Sequence, residues 1–126
     1  MSAASTVYLK TFFRQLIEVV DQLETMFPDD PDFKVFSTFL GLLQKTNPGS
    51  VISTFREHVV DKYEEHIASR NEDFILTHVP VEYGGDIMDI VSKLKLYWKV
   101  LSPASKDSLW QYMHVLTQLC KRYYAS

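Results

Sequence analysis

Apolar residues recur along most of this chain at alternating steps of three and four, the period of a helix with one face turned inward. From position 6 to 27 the run Leu9, Phe13, Leu16, Val20, Leu23 and Phe27 follows it, with Phe12 and Val19 widening the stripe. Pro28 stops this helix. Asp29-Asp30-Pro31-Asp32 then supplies a carboxylate cap, a proline for the first turn and acid at the positive end of a second helix, 31–46. The second helix carries two apolar faces, Phe33, Phe36, Leu40 and Leu43 on one and Val35, Phe39 and Leu42 on the other, which predicts a central position. Gly41 costs a mid-helix site about 1 kcal/mol against alanine, so a neighbouring helix is expected to approach it closely.

Asn47-Pro48 caps and opens a third helix, 48–68, with Ile52, Phe55, Val59, Tyr63 and Ile67 inward. A fourth, 86–101, aligns Ile87, Ile90, Val91, Leu94, Tyr97, Trp98 and Leu101; Met88, Leu96 and Val100 fall off that stripe and predict a second buried contact. Ser102-Pro103 begins the last helix, 103–124, with Leu109, Tyr112, Met113, Leu116, Leu119, Cys120 and Tyr123 inward. Ser69 to Gly85 reads as a long loop in which Asn71-Glu72-Asp73 caps a short turn through Phe74-Ile75-Leu76, ahead of Pro80 and Gly84-Gly85. The one alternating run, His78 to Tyr83, is interrupted by proline, so no sheet is expected. The predicted fold is all-α, a single-domain bundle of about five helices over residues 1–126 with one long loop between the third and the fourth.

Composition adds a core rich in rings: eight Phe and two Trp are more than helical periodicity needs. The longest apolar stretches, such as Phe39 to Leu43, fall far short of the ~20 residues that cross a bilayer. Position 2 is Ser2 rather than the glycine of myristoylation, and no basic-then-apolar leader is present. With a single cysteine, Cys120, no internal disulfide is available, and a reducing, intracellular setting is expected.

Charge is distributed unevenly. Residues 48–91 hold three basic and nine acidic side chains, whereas 92–126 hold six and one, within a net charge of -3. These are either solvated faces that contribute little, pairs within one molecule, or complementary faces that join copies. Lys93, Lys95, Lys99, Lys121 and Arg122, interleaved with Tyr97, Trp98, Tyr123 and Tyr124, also offer the mixture of cations and rings that single-stranded nucleic acid uses. Against this, Tyr97 and Trp98 lie on the apolar stripe of their helix.

Motifs for catalysis are missing. His58 and His66 sit two turns apart, about 12 Å along a helix, too far to share a metal. Cys120 lies inward, where a thiol is a small hydrophobe. No nucleophile elbow, phosphate loop or dinucleotide fingerprint occurs. The expectation is therefore no catalytic, metal or cofactor-binding residue.

The segment Leu42-Leu43-Gln44-Lys45-Thr46-Asn47-Pro48, followed by Val51-Ile52, Phe55, Val59, Tyr63, Ile67 and Asn71-Glu72-Asp73-Phe74, resembles small helical proteins of large nucleocytoplasmic DNA viruses, most nearly Marseillevirus-like viruses of amoebae. The resemblance covers about Glu24 to Leu76, and Gly49 stands where such proteins often carry a basic residue. It implies a virus-encoded helical protein, carried in the virion and delivered to the host cytoplasm, and no catalytic residues. The resulting expectation is a non-enzymatic virion-associated or protein-binding protein that contacts a viral or host protein, with a homodimer as one form of that contact. Its surface is expected to include Trp110 and Tyr124, read as lying off the inward stripe of the last helix, with Lys121 and Arg122. The alternative is nucleic-acid binding through the basic C-terminal third.

Overall fold

The computed structural model describes residues 3–78 and 86–126, and among these it is all-helical, without a strand. Helix α1 spans Ala3–Met26 and α2 Asp32–Thr46. Helix α3 is one continuous rod made of Pro48–Phe55, a π-helical turn at Arg56–Val60, and Asp61–Ala68. Then follow α4 at Glu72–His78, α5 at Asp86–Tyr97 with a 3-10 turn at Trp98–Val100, and α6 at Pro103–Ala125. The stretch 79–85, including the turn read from Pro80 and Gly84-Gly85, lies outside the described residues.

Helix α1 is the central element. Its Phe12, Phe13, Val20 and Leu23 are wholly buried, with Leu9, Leu16 and Val19 nearly so. The Phe12 ring meets Phe13 and Phe55 edge to face at 6.0 and 5.2 Å, a preferred geometry for aromatic quadrupoles. Along its length α1 is paired with α6. Ser5 meets Ser126, whereas Gln22 Nε2 donates to the Tyr112 hydroxyl, which in turn donates to Glu18, so the two helices run antiparallel.

Local capping sets most of the boundaries. Ser102 Oγ accepts the Ser105 N–H at 3.1 Å with Pro103 in the first turn, and Asp30 Oδ1 accepts the Asp32 N–H at 3.0 Å to open α2. Pro48 starts α3 as read, but Asn47 makes no side-chain cap; its carbonyl instead accepts from the Ser50 N–H and hydroxyl. Inside α3, the Asp61 N–H reaches back to the Arg56 carbonyl, and this wide turn brings Val59 and Val60 both into the core. At its end Arg70 takes a left-handed φ of 52° and the Asn71 N–H bonds the His66 carbonyl, closing the helix in Schellman fashion.

Four further expectations change. There are six helices among the described residues rather than five, because the short turn read at Phe74 continues to His78. Asn71 Oδ1 caps it by accepting the Phe74 N–H at 3.1 Å, and the Phe74 ring is held between His66 and His78 at centroid distances of 3.5 and 4.3 Å. Helix α2 is peripheral, not central: Phe33 and Leu40 are buried, but Val35, Phe39 and Leu42 face solvent. Gly41 has no close neighbour, for a Cβ built there would meet nothing within 4 Å. On α5 only Met88 of the three off-stripe residues is buried, while Leu96 and Val100 are exposed.

Candidate functional site

The four surface residues read from the last helix do not form one patch. Trp110 is a correction: it is buried, its ring edge to face with Trp98 at 5.2 Å. Helix α6 is covered by α1 on one side and by α3 on another, so its inward face is wider than a single stripe and includes Trp110 and Thr117. Tyr124, Lys121 and Arg122 are exposed about 20 Å further along the helix. Lys121 pairs with Glu64 of α3, and the Arg56 guanidinium lies over the Tyr124 ring at 4.3 Å.

Folding consumes much of the charge asymmetry. Lys93 pairs with Asp30 and Asp32, Lys106 with Glu72, and Lys121 with Glu64, so at least half of the six basic side chains in 92–126 hold acids from earlier in the chain. Two of the four rings named in the basic segment are occupied too, while Tyr124 is exposed. Tyr97 stacks on Phe27 at 4.0 Å and Trp98 is buried.

The densest polar cluster joins the start of α2 to α5. Lys93 Nζ lies 2.8 Å from both Asp30 Oδ2 and Asp32 Oδ2, and the Tyr97 hydroxyl donates to Asp30 Oδ2 at 2.6 Å. Burial by itself would raise the Asp30 pKa, but hydrogen bonds from Lys93, Tyr97 and the Asp32 N–H together hold it down at about 2. The same bonds to Asp30 and Asp32 push Lys93 up, and donation to Asp30 raises Tyr97. Both Asp30 oxygens are taken by the chain's own donors. The cluster is a staple between helices, with three of the chain's own donors on the Asp30 carboxylate and Lys93 bridging it to Asp32.

The one cysteine is also engaged in the fold. Burial pushes the Cys120 thiol up to about 12, and its Sγ–H faces the Ile52 carbonyl, so it stays protonated. Among the described residues no three His, Cys, Asp or Glu side chains are placed to hold a metal ion. No helix of these residues is long and apolar enough to cross a membrane.

What remains open is apolar. Val35, Phe39 and Leu42 stand at i, i+4 and i+7 on the outer face of α2, with 61%, 43% and 55% of their surface exposed. Beside them a groove of about 110 Å³ runs between α2 and α5, walled by Val35, Phe36, Phe39, Leu40 and Ile90 with Asp89 at its side. The chain's pattern contained this face, as the second apolar side of the second helix; what was not legible is that nothing in the described fold covers it. No protein-family model, curated protein or solved structure matches the chain.

Proposed function

We propose that the protein is a non-enzymatic protein-binding factor that docks a helix of a partner against the outer face of α2. The observation that carries this reading is the row Val35, Phe39 and Leu42 beside the α2–α5 groove. Three large apolar side chains aligned along one helix, next to a recess of side-chain size, match the spacing at which an amphipathic helix presents its own i, i+3/i+4 anchors. Polar groups that could perform chemistry are instead tied to one another, as at Asp30, Lys93 and Tyr97. The setting comes from the resemblance to amoebal-virus proteins: a partner of viral or host origin, met in the particle or in the host cytoplasm.

Affinity capture from infected cells, followed by photo-crosslinking from position 39, tests this. The wild type and a Lys121→Glu/Arg122→Glu variant are expected to retain the same partner, crosslinked through a helical segment, and Phe39→Glu to release it. Equal retention by Phe39→Glu, or loss through the Lys121/Arg122 change alone, removes α2 as the docking face. If Phe39→Glu instead shifts the sedimentation of the purified protein from dimer to monomer, the partner is a second copy of this chain.

A further inference from the structure

Beside the apolar row of α2 runs a second, polar row. Lys34, Thr38 and Lys45 stand at i, i+4 and i+11, close to whole numbers of turns, and lie about 90° around the helix from Val35, Phe39 and Leu42. All three are exposed. Phe36 and Leu40, which wall the groove towards α5, lie on the opposite side of the apolar row. The row is therefore bordered by the groove on one side and by two lysines on the other, the lysines about 16 Å apart along three helical turns.

Neither lysine is used inside the molecule. Lys93, Lys106 and Lys121 hold carboxylates from other parts of the chain, but Lys34 and Lys45 form no ion pair among the described residues. Asp21 of α1 accepts the Ser37 hydroxyl at 2.8 Å instead of pairing with either. Lys45, in the last turn, suits the negative end of its own helix, whereas Lys34 lies in the first turn, where the helix dipole disfavours a cation. Across the apolar row the charge has the other sign: Asp89 borders the groove, and Asp32 is held on that side by Lys93. A helix seated on the row meets cations along one edge and acid along the other.

We infer that the segment docked on α2 is an acidic amphipathic helix of at least three turns, with carboxylates along the edge that faces Lys34 and Lys45. This partner chemistry presupposes docking on α2 as proposed above. Complementary edges steer the encounter and fix which way the helix lies, while its apolar anchors supply most of the affinity. An anionic bilayer suits this surface less well, because a flat sheet of one charge would press on Asp89 as well as on the lysines, and the protein carries a net charge of -3.

The probe is a display library of helical peptides of about five turns, roughly 18 residues. Aliphatic anchors are fixed along one face, Glu, Gln and Lys are varied along both edges, and selection is on the purified full chain. The wild type is expected to enrich Glu over Lys about tenfold along one edge only, the ratio produced when two exposed pairs turn from attraction to repulsion, and to lose most of that preference at about 0.5 M salt. Lys34→Glu/Lys45→Glu, which alters only exposed side chains, should select Lys along the same edge with an unchanged thermal transition. If that variant fails to fold, Lys34→Gln/Lys45→Gln must lose the preference for Glu. Equal recovery of Glu and Lys edges by the wild type, or an unaltered preference in the charge variants, overturns the acidic partner; loss of all recovery in Phe39→Glu would then leave docking on α2 standing. Recovery that Phe39→Glu leaves unchanged, or a selection that enriches no peptide, removes both. Dimerisation of the purified chain that Phe39→Glu abolishes, or binding to phosphatidylserine vesicles in place of peptides, also overturns the acidic partner, because a second copy or a membrane would then be the occupant.

Discussion

Helices α1 and α2 lie side by side and share a period but not a fate. In α1 the apolar residues at steps of three and four, with Phe12 and Val19 beside them, reach the core, because α2, α3 and α6 all pack around that helix. In α2 the same kind of pattern buries only Phe33 and Leu40, and its second face looks outward. Period therefore identifies residues that share a face, while burial depends on whether another element arrives to cover it. A helix apolar on two sides is either central or a peripheral helix with one side left for a partner. The start of α2 sharpens the contrast: it is stapled by Asp30 and Lys93, whereas no described residue covers its outer face.

The largest expected difference comes from truncating a ring in each helix. Phe13→Ala removes a wholly buried ring and should cost about 3–5 kcal/mol in denaturant unfolding, whereas Phe39→Ala should change stability by less than about 1 kcal/mol. Comparable losses at both positions would mean that the outer face of α2 is covered in solution.

Next in size is the staple. Asp30→Asn should lower stability at pH 7 by roughly 2 kcal/mol, since the folded carboxyl sits near 2 instead of its usual 3.8. The sign follows from the depressed folded pKa. The contribution is complete above the unfolded value and is lost as pH falls from about 4 towards 2. Wild-type stability should therefore decline across that window, and the variant's decline there should be shallower; parallel acid limbs for the two proteins would dismiss the staple.

Gly41→Ala should raise stability by about 1 kcal/mol, visible as a Tm increase of several degrees, because the added methyl meets open space in a helical backbone. A loss of stability would show that Gly41 is closely approached, as the chain's pattern first implied. The smallest effect belongs to the exposed pair of α6: Lys121→Ala should alter thermal stability by no more than about 0.5 kcal/mol, since both partners are well exposed to solvent.

Much of the architecture was readable in advance. Helical class, the openings of α2, α3 and α6, and the inward set of α1 follow from spacing, proline and short polar caps, all of which act within a few residues of one another. Asn71 even marked the start of α4. Its extension to His78 was hidden because the Phe74 ring is held by His66, a residue from the preceding helix. The candidate site was only half visible. Periodicity groups Val35, Phe39 and Leu42 on one face but implies an interior place for them, and it puts Trp110 outside the inward stripe of a helix that is in fact covered from two directions.

Sequence by itself determined where this polypeptide winds, where each turn is capped and which side chains travel together, because those outcomes are settled by steric and hydrogen-bonding preferences between near neighbours. Only the tertiary structure decided which faces are sheltered, which lysines are neutralised by distant carboxylates, and that the Trp98 N–H is buried without a hydrogen-bond partner. Such outcomes depend on segments tens of residues apart meeting at a few ångströms, and no local pattern specifies which of several equivalent faces the arriving segment will cover.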